Sequence, residues 1–317
     1  MYEFSIHPLP KVVDSMDTPN MKNLNEKLDT REAKLGVLFG FLAYALWGVL
    51  PLYWKQLTAV DSVQILAHRI LWSAVFSVLL LAAGRKLSGL TVVVRSRKRL
   101  ISAVLAGLLV TVNWGVYIWA VNSSHIIESS LGYYLSPLFV VLTGAIFLKE
   151  KIDKGLLISL AIALVGVVVL TFDYGRIPWI ALALALSWTL YSLVKKKAAL
   201  EPLPGFAVET LSVTPLAVAY LLWRHATGQG AFLVAGPGIT ALLVVAGPVT
   251  ALPLLAYAAG ITRIPLSRIG PLQYVSPTLQ LAIGVLVFSE PFGGTQAVAF
   301  GFIAIALVVF MLTRRAT

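Results

Sequence analysis

Ten long apolar stretches fill most of the chain after residue 34, and short polar segments separate them. A helix needs roughly 20 apolar residues to cross the hydrocarbon core of a bilayer. The pattern therefore predicts an all-α integral membrane protein with ten transmembrane helices, numbered below as spans 1 to 10. We place these spans at residues 35–54, 62–83, 100–121, 128–148, 155–172, 178–194, 206–223, 238–260, 268–289 and 296–313.

The spans form two sets of five, and the second set repeats the first at a nearly constant offset along the chain. Five features match at the same offset: Tyr117 with Tyr257, Tyr134 with Tyr274, Ser136-Pro137 with Ser276-Pro277, Gly144 with Gly284, and Glu150 with Glu290. Two further pairs match with an offset that differs by one residue: Trp47 with Trp188, and Lys55 with Lys196. An odd number of spans in each set places the second set upside down in the bilayer. We therefore predict two inverted five-helix repeats, 35–172 and 178–313, around a central cavity, which is an architecture of transporters.

The composition places the chain in lipid rather than in water. Hydrophobic residues make up 58% of it and charged residues 12%, whereas a soluble domain carries about 25% charged residues. Cysteine is absent, which excludes disulfides and thiolate metal sites. The net charge of +11 is not evidence for nucleic acid binding, because the basic residues lie between the apolar stretches.

Residues 1–34 differ from the rest of the chain. They are polar, contain Pro8, Pro10 and Pro19, and show no apolar periodicity. A segment of this kind cannot bury enough apolar surface to offset the entropy of ordering. We predict that it is a disordered cytoplasmic tail.

The distribution of lysine and arginine predicts the orientation. With the N-terminus in the cytoplasm, 21 of the 25 basic residues fall on the cytoplasmic side, Lys55, Arg176 and Arg224 fall outside, and Arg69 lies within span 2. Loop 85–99 is rich in basic residues, whereas its counterpart 224–237 is poor in them, as inversion requires. The positive-inside rule then predicts a multi-pass protein of the cell inner (plasma) membrane with both termini in the cytoplasm.

His68 and Arg69 form the most unusual polar pair within a span. They lie about seven residues into span 2, hence roughly 10 Å deep. An arginine at this depth is costly unless it is paired, hydrated or reaches the membrane surface. One interpretation makes Arg69 the anchor of a substrate carboxylate and His68 a titratable neighbour. The other is a structural ion pair with Asp61, Glu128 or Asp173, which lie toward the same outer side, with the arginine side chain extending toward the membrane surface.

Several polar and aromatic side chains within the spans are candidates for a substrate-binding cavity. Asn113 and Tyr117 lie one helical turn apart and share one helical face. The remaining candidates are Trp47, Trp114, Tyr134, Trp188, Tyr191, Tyr257, Gln273 and Tyr274. Such a lining suits amphipathic or aromatic solutes, and also cations, which are attracted to ring faces. The alternative is that the aromatic residues belong to belts at the membrane surface, which is the interpretation for Trp54, Trp179 and Trp223.

Pro137 and Pro277 occupy matching places in spans 4 and 9. Each removes a helical hydrogen bond, so the two prolines are candidates for gating positions, or else for simple packing kinks. Glu209 is the only carboxylate well within the spans of the second set. It is interpreted either as a solvated glutamate near the membrane surface or as a carboxylate for proton coupling.

Six short sequence segments resemble those of a known protein family. They are Leu66–Ser73, Asn113–Asn122, Glu128–Pro137, Tyr191–Lys197, Arg263–Ser267 and Gln273–Thr278. Together they resemble the RarD-like proteins of the EamA family, in the drug/metabolite transporter superfamily, from about residue 35 to the C-terminus. The resemblance implies ten helices in inverted repeats and a central cavity lined mainly by spans 1, 3, 4, 6, 8 and 9.

These features lead to one prediction of function and two rivals. We predict a secondary transporter of small metabolites or drugs, including amino-acid-like or aromatic solutes, that works by alternating access. An intramembrane enzyme would need a cluster of titratable groups at one depth, which only His68-Arg69 approaches. A channel would need a continuous ring of polar residues. Substrate identity, direction of transport and proton coupling stay open.

The expected partners follow from the same features. There is no phosphate-binding glycine loop and no metal-ligand spacing, so we predict no cofactor, no metal and no enzymatic activity. The expected partners are a small-molecule substrate and membrane lipid, without nucleic acid, for a protein that is a monomer or a weak homodimer.

Overall fold

The computed structural model describes residues 19–122, 126–174, 179–288 and 293–314, and the regular structure within these ranges is helical. The helices are α1 (Pro19–Val49), α2 (Pro51–Trp54), α3 (Ser62–Ala83), α4 (Ser88–Arg95), α5 (Arg97–Asn122), α6 (Ile126–Leu148), α7 (Lys154–Tyr174), α8 (Trp179–Ala198), α9 (Pro202–Ala226), α10 (Pro237–Arg263), α11 (Leu266–Leu272), α12 (Val275–Leu286) and α13 (Gly294–Arg314). Residues 1–18 of the predicted tail, and Glu290 of the predicted repeat, lie outside the described residues.

The surface of the helices is apolar, as a lipid environment requires. Phe172 is 82% exposed, Leu216 is 70% exposed and Ile146 is 68% exposed. Within the described residues, five helical segments are long and apolar enough to cross a membrane by length and composition: Thr30–Leu57, Ser62–Ala83, Arg97–Ala120, Pro202–Ala226 and Pro237–Arg263. The chain is therefore a multi-pass, all-helical membrane protein.

Most predicted spans coincide with helices. Spans 2 to 8 and 10 correspond to α3, α5 to α10 and α13, and their ends differ by no more than about one helical turn. The sequence also explains why α3 begins at Ser62. The Asp61 side chain, just before it, accepts a hydrogen bond from the Gln64 backbone N–H at 3.1 Å. Such an N-cap satisfies a donor that the helix itself leaves free.

The predicted disordered tail is wrong for residues 19–34, because α1 begins at Pro19. Proline is tolerated in the first turn of a helix, where its missing N–H has no intrahelical partner. The residues that follow include many Leu, Lys, Glu and Arg, which are good helix formers. Arg263 Nε donates to Glu32 Oε2 at 2.9 Å, which ties this extension to the end of α10.

Span 9 is not one continuous helix. It is divided into α11 and α12, with Gln273 and Tyr274 between them. In a regular helix the Gln273 carbonyl would accept from the N–H of residue 277, but Pro277 has none. The Gln273 carbonyl instead accepts from the Ser276 N–H at 3.3 Å, in a tighter turn. The break therefore has a local cause in the sequence.

Helices from the two halves of the chain interleave. The helix α1 packs on α10 and α12, α3 packs on α9 and α10, and α5 packs on α8 and α9. Similarly, α6 packs on α8 and α11, and α7 packs on α13. The centre of the molecule is thus formed by contacts between the halves rather than within each half.

Among the described residues, two glycines allow the closest approach of a helix to the backbone of a helix from the other half. A Cβ atom on Gly247 of α10 would lie 2.4 Å from the carbonyl carbon of Trp72 in α3. A Cβ atom on Gly107 of α5 would lie 2.5 Å from the Glu209 carbonyl oxygen in α9. Because backbone atoms are the obstacles, a side chain at either position would push the helices apart.

We predict that Gly247→Ala destabilises the protein by about 1–3 kcal/mol, the range for a methyl group forced into a packed interior. The matched control is Gly115→Ala, because nothing lies within 4 Å of a Cβ atom there. Thermal unfolding of the purified variants in detergent measures the difference. Equal stability of the two variants would contradict the close crossing of α3 and α10.

Candidate functional site

A cavity of about 150 Å³ lies among the helices, toward the end of the molecule at which α1 ends and α3 begins. A cavity of this order accepts a molecule the size of one benzene ring. Its lining residues are Tyr44, Trp47, Leu50, Pro51, Trp54, Arg69, Asn113, Trp114, Tyr117, Tyr133, Ser136, Trp188, Gln273, Ser276, Pro277 and Gln280. Arg69 is the one charged residue among these described lining residues.

The cavity brings together many of the predicted site residues. Those that line it are Trp47, Arg69, Asn113, Trp114, Tyr117, Trp188, Gln273 and Pro277. Those outside the lining are His68, Tyr134, Pro137, Tyr191, Tyr257 and Tyr274. Span 2 contributes to the lining through Arg69, although the family resemblance did not imply it. Span 8 was implied, but it contributes no lining residue among the described residues.

Arg69 is held by aromatic rings. Its guanidinium carbon lies 4.5 Å from the ring centroid of Trp54 and 4.2 Å from that of Trp114. Its Nε donates to Thr250 Oγ1 at 3.0 Å. Desolvated cation–π contacts are worth about 2 kcal/mol. The rings therefore offset part of the cost of placing a charge at this depth in the protein.

Asp61, one of the predicted carboxylate partners of Arg69, is not at the guanidinium. Among the ion pairs of the described residues, none involves Arg69. Asp61 instead caps α3 and accepts from the Tyr220 hydroxyl at 3.1 Å. The side chains of Glu128 and Asp173 lie outside the described residues. The structural ion pair with Asp61 is therefore wrong.

His68 and Arg69 point in different directions, as neighbouring residues on a helix do. His68 is 3% exposed, and its ring centroid lies 5.1 Å from that of Phe232. Arg69 faces the cavity. The prediction that His68 also binds substrate receives no support from this arrangement, because the ring is packed against the segment that precedes α10.

Asn113 connects two helices at the edge of the cavity. Its Nδ2 donates to the Leu184 carbonyl oxygen at 2.9 Å and to Ser187 Oγ at 2.8 Å. Both acceptors lie on α8, so the amide satisfies polar groups that lipid could not. Asn113 thus fixes α5 against α8, in addition to bordering the cavity.

Five aromatic side chains form a layer at the inner limit of the cavity, which we call the aromatic floor: Tyr44, Trp47, Trp188, Tyr191 and Tyr257. The ring centroids of Trp47 and Trp188 are 5.3 Å apart, and those of Trp188 and Tyr257 are 5.2 Å apart. Tyr191 and Tyr257 are fully buried beneath the residues that border the cavity. Aromatic pairs at these separations attract each other beyond simple burial.

A buried ion pair lies beyond the aromatic floor. Lys195 Nζ donates to Glu209 Oε1 at 2.6 Å, and both side chains are less than a tenth exposed. The Tyr191 hydroxyl lies 3.4 Å from Glu209 Oε2, which links the pair to the floor. The prediction of a solvated Glu209 near the membrane surface is therefore wrong: the carboxylate is buried and paired.

The ion pair and the cavity lie toward opposite ends of the molecule. Next to Lys195, Lys196 Nζ donates to the carbonyl oxygens of Ile261 and Ile264 at 2.9 and 2.7 Å. These carbonyls lie at the end of α10, which the contact between Arg263 and Glu32 joins to the early part of α1. The cavity, in contrast, lies where α1 ends.

Small voids lie between the cavity and this closed end. One of about 20 Å³ is bordered by both Arg69 and Glu209, together with Thr210 and Thr250. Another of about 10 Å³ is bordered by Lys195 and Glu209. Two small voids therefore border the Glu209 side chain.

The sequence pattern predicted that Tyr134 and Tyr274 would face the cavity together with Asn113. In the structure neither tyrosine borders the cavity. The Tyr274 hydroxyl lies 3.5 Å from the Tyr134 carbonyl oxygen, in a cluster packed against α7 and α13. The neighbouring residue Tyr133 borders the cavity instead, and its ring centroid lies 5.6 Å from that of Tyr117. The choice between adjacent tyrosines depends on how α6 is rotated, which the repeat alone does not reveal.

The two predicted gating prolines have different positions. Pro277 borders the cavity just after the break between α11 and α12. Pro137 is buried inside α6. If Gly270 of α11 carried a Cβ atom, that atom would lie 3.1 Å from the Pro137 carbonyl oxygen. Pro137 is therefore at a tight contact between α6 and α11, away from the cavity.

Several lining residues were not predicted from the sequence: Tyr44, Leu50, Pro51, Trp54, Tyr133, Ser136, Ser276 and Gln280. Trp54 was assigned to a belt at the membrane surface, but it contacts Arg69. The two residues lie on different helices, and their spacing along the chain carried no signal of this contact. Ser136 and Ser276 could have been found, because they precede the two repeated prolines.

No group of three or more His, Asp or Glu side chains that could hold a metal ion occurs in the described part of the chain. The arrangement is instead that of a cavity for a small solute, with rings, neutral polar groups and one cation. A polytopic helical membrane protein with such a cavity has the features of a solute transporter.

The chain belongs to the EamA-like transporter family, whose sequence model matches it twice, over residues 34–172 and 176–312. It is 43% identical to "Uncharacterized transporter YojE" of Bacillus subtilis, over 89% of this chain and 95% of that protein. It is 39% identical to "Protein RarD" of Streptomyces exfoliatus, over 88% of this chain and 88% of that protein. It is 36% identical to "Protein RarD" of Escherichia coli, over 90% of this chain and 96% of that protein. The resemblance to RarD-like proteins is thus confirmed.

A solved crystal structure of a protein has the same fold. It superposes with a TM-score of 0.68 over 88% of this chain and 98% of that chain, at 22% sequence identity. Identity this low supports the fold alone. The family, with relatives named as transporters, establishes a membrane transporter.

We predict that Tyr133→Phe weakens the binding of a polar aromatic probe such as 3-nitrobenzamide by about 1 kcal/mol, close to fivefold, because a typical hydrogen bond is lost. The matched control is Tyr134→Phe, one residue along, which should bind as the wild type does. Quenching of tryptophan fluorescence measures both. A larger effect at Tyr134 would mean that α6 presents its other face to the cavity.

Proposed function

We propose that the protein is a secondary transporter that moves small metabolites or drugs, including amino-acid-like or aromatic solutes, across the cell inner membrane by alternating access. The observation that carries this proposal is the cavity that borders Arg69 and ends at the aromatic floor. A solute site that is closed on one side is what alternating access requires.

Two inverted repeats are the proposed basis of the alternation. Support comes from the two matches of the family model, one in each half. The packing gives further support, because the contact of α5 with α9 has a counterpart in that of α10 with α3. Gly107 and Gly247, at these two crossings, are separated along the chain by the same offset as Tyr134 and Tyr274.

The proposed conformational change would open the end of the molecule that is now closed and close the end at which the cavity lies. In the described arrangement the aromatic floor and the Lys195–Glu209 ion pair close one end. The small voids next to Glu209 mark the region where a path toward that end would form. Opening there would separate the rings of the floor and admit water to the ion pair, while the end near Trp54 closes.

The proposed orientation places the closed end in the cytoplasm. Lys195, Lys196 and Lys197 end α8, and Arg263 ends α10, at the same end of the molecule. Basic residues are more frequent on the cytoplasmic side of membrane proteins. The cavity then opens toward the outside of the membrane, and both termini are cytoplasmic.

A fusion of alkaline phosphatase after Thr317 tests the orientation. We expect no phosphatase activity in intact bacterial cells, because this enzyme becomes active only outside the cytoplasm. A cytoplasmic reporter such as green fluorescent protein at the same position should be fluorescent. An active phosphatase fusion would reverse the proposed orientation.

Transport itself is tested by comparing the metabolites of cells that contain the wild-type protein with those of cells that lack it. We expect one or more small organic solutes to change their distribution between cell and medium. Ser276→Phe should abolish this change, because Ser276 borders the cavity and a phenyl ring would fill it.

The control variant for this experiment is Thr278→Phe, slightly further along the same helix. Thr278 does not border the cavity and its side chain is more accessible than that of Ser276, so the same ring would point away from the solute site. We expect its metabolite profile to match the wild type. Identical profiles with and without the protein, for every solute, would contradict the proposed function.

A further inference from the structure

The cavity carries one positive charge and no negative charge among its described lining residues. Arg69 supplies the charge, while the polar side chains around it, such as Asn113, Tyr133 and Gln273, are neutral. A bound cation or a protonated amine would find no carboxylate in this lining and would meet a like charge. The lining therefore favours solutes with a net negative charge.

The two aromatic rings nearest Arg69 do not offer a site for a second cation. The faces of Trp54 and Trp114 are in contact with the Arg69 guanidinium at 4.5 and 4.2 Å. A ring face that already attracts an arginine is not free for a second positive charge, which the arginine would also repel. The sequence alone suggested that an aromatic lining would suit cations as well as aromatic solutes, but a cation next to Arg69 would be repelled.

The guanidinium keeps hydrogen-bonding capacity for a ligand. Arginine has five N–H donors in a planar group, and stacking on rings leaves the donors at its edge. One of them, on Nε, bonds to Thr250. The described residues provide no carboxylate for the others. A planar carboxylate matches this edge with two parallel hydrogen bonds.

We infer that the transported solute is a small organic anion, whose carboxylate binds Arg69 and whose flat apolar body rests against Trp47 and Trp188 of the aromatic floor. This inference rests on the proposed function, since it names the substrate class of the same cavity. The volume of about 150 Å³ fits one ring with one acidic group.

The test measures binding of three probes with the same ring, namely 3-nitrobenzoate, 3-nitrobenzamide and 3-nitrobenzylamine, to the purified full-length protein. Nitroaromatic groups quench tryptophan fluorescence, and tryptophans border the cavity. We expect the carboxylate to bind about tenfold more tightly than the amide, because a charge-assisted hydrogen bond is stronger than a neutral one. The amine should bind most weakly.

Three variants separate charge from shape. Arg69→Gln should lose the preference for the carboxylate while it still binds the amide, and Arg69→Lys should keep part of the preference. The matched control is Arg224→Gln, because Arg224 also contacts a tryptophan, Trp223, at 6.0 Å but does not border the cavity. It should behave as the wild type. If Arg69→Gln does not fold, the wild type and Arg69→Lys decide between the outcomes.

The inference is overturned if the wild type binds no 3-nitrobenzoate, if it prefers the amide or amine, or if Arg69→Gln keeps the full preference for the carboxylate. Uptake of the same probes into proteoliposomes distinguishes this result from failure of the proposed function. Uptake of the amide but not of the carboxylate would contradict the anion inference and support transport. Arg69-dependent binding of the carboxylate without any uptake would support the anion site and contradict transport.

Discussion

The contact of Arg69 with Trp54 and Trp114 is the constraint on which the cavity depends. A charged side chain within a membrane is costly and must find polar or aromatic partners. The two indole rings come from α2 and α5, so a favourable environment for the charge forms only when these helices and α3 are assembled. The cation then faces a space bordered by neutral groups, which makes the cavity a place for an anion rather than an apolar gap.

A second charge of opposite sign occupies the matching position in the other half of the chain. Arg69 in α3 and Glu209 in α9 are separated by the repeat offset that also relates Tyr134 to Tyr274, and one small void is bordered by both. Arg69 faces the cavity, whereas Glu209 is buried and bonded to Lys195 beyond the aromatic floor. The proposed inverted repeats would give a physical reason for this asymmetry: one of two equivalent positions would be open and the other closed, and transport would exchange their environments.

The helices could be predicted from sequence because lipid permits few alternatives to a helix for a long apolar stretch. The break at Gln273 was not predicted, although Pro277 explains it, and the helical state of residues 19–34 was missed because an isolated polar segment gives no apolar period. For the cavity, residue type identified Arg69, Asn113 and Trp188. The choice of Tyr133 over Tyr134, and the burial of Tyr191 and Tyr257, depend on helix rotation and on packing between the halves, which local patterns do not encode.

The central claim is that the cavity is open toward the outside and closed by the aromatic floor. The chain has no cysteine, so single cysteines can be introduced directly and labelled with a charged, membrane-impermeant thiol reagent added to intact cells. The claim predicts that Ser276→Cys, in the cavity lining, reacts, and that Ser192→Cys, which is buried beside the floor residue Tyr257, does not. Labelling of Ser192→Cys from outside at a rate equal to that of Ser276→Cys, or labelling of Ser276→Cys only from the cytoplasmic side, would contradict it.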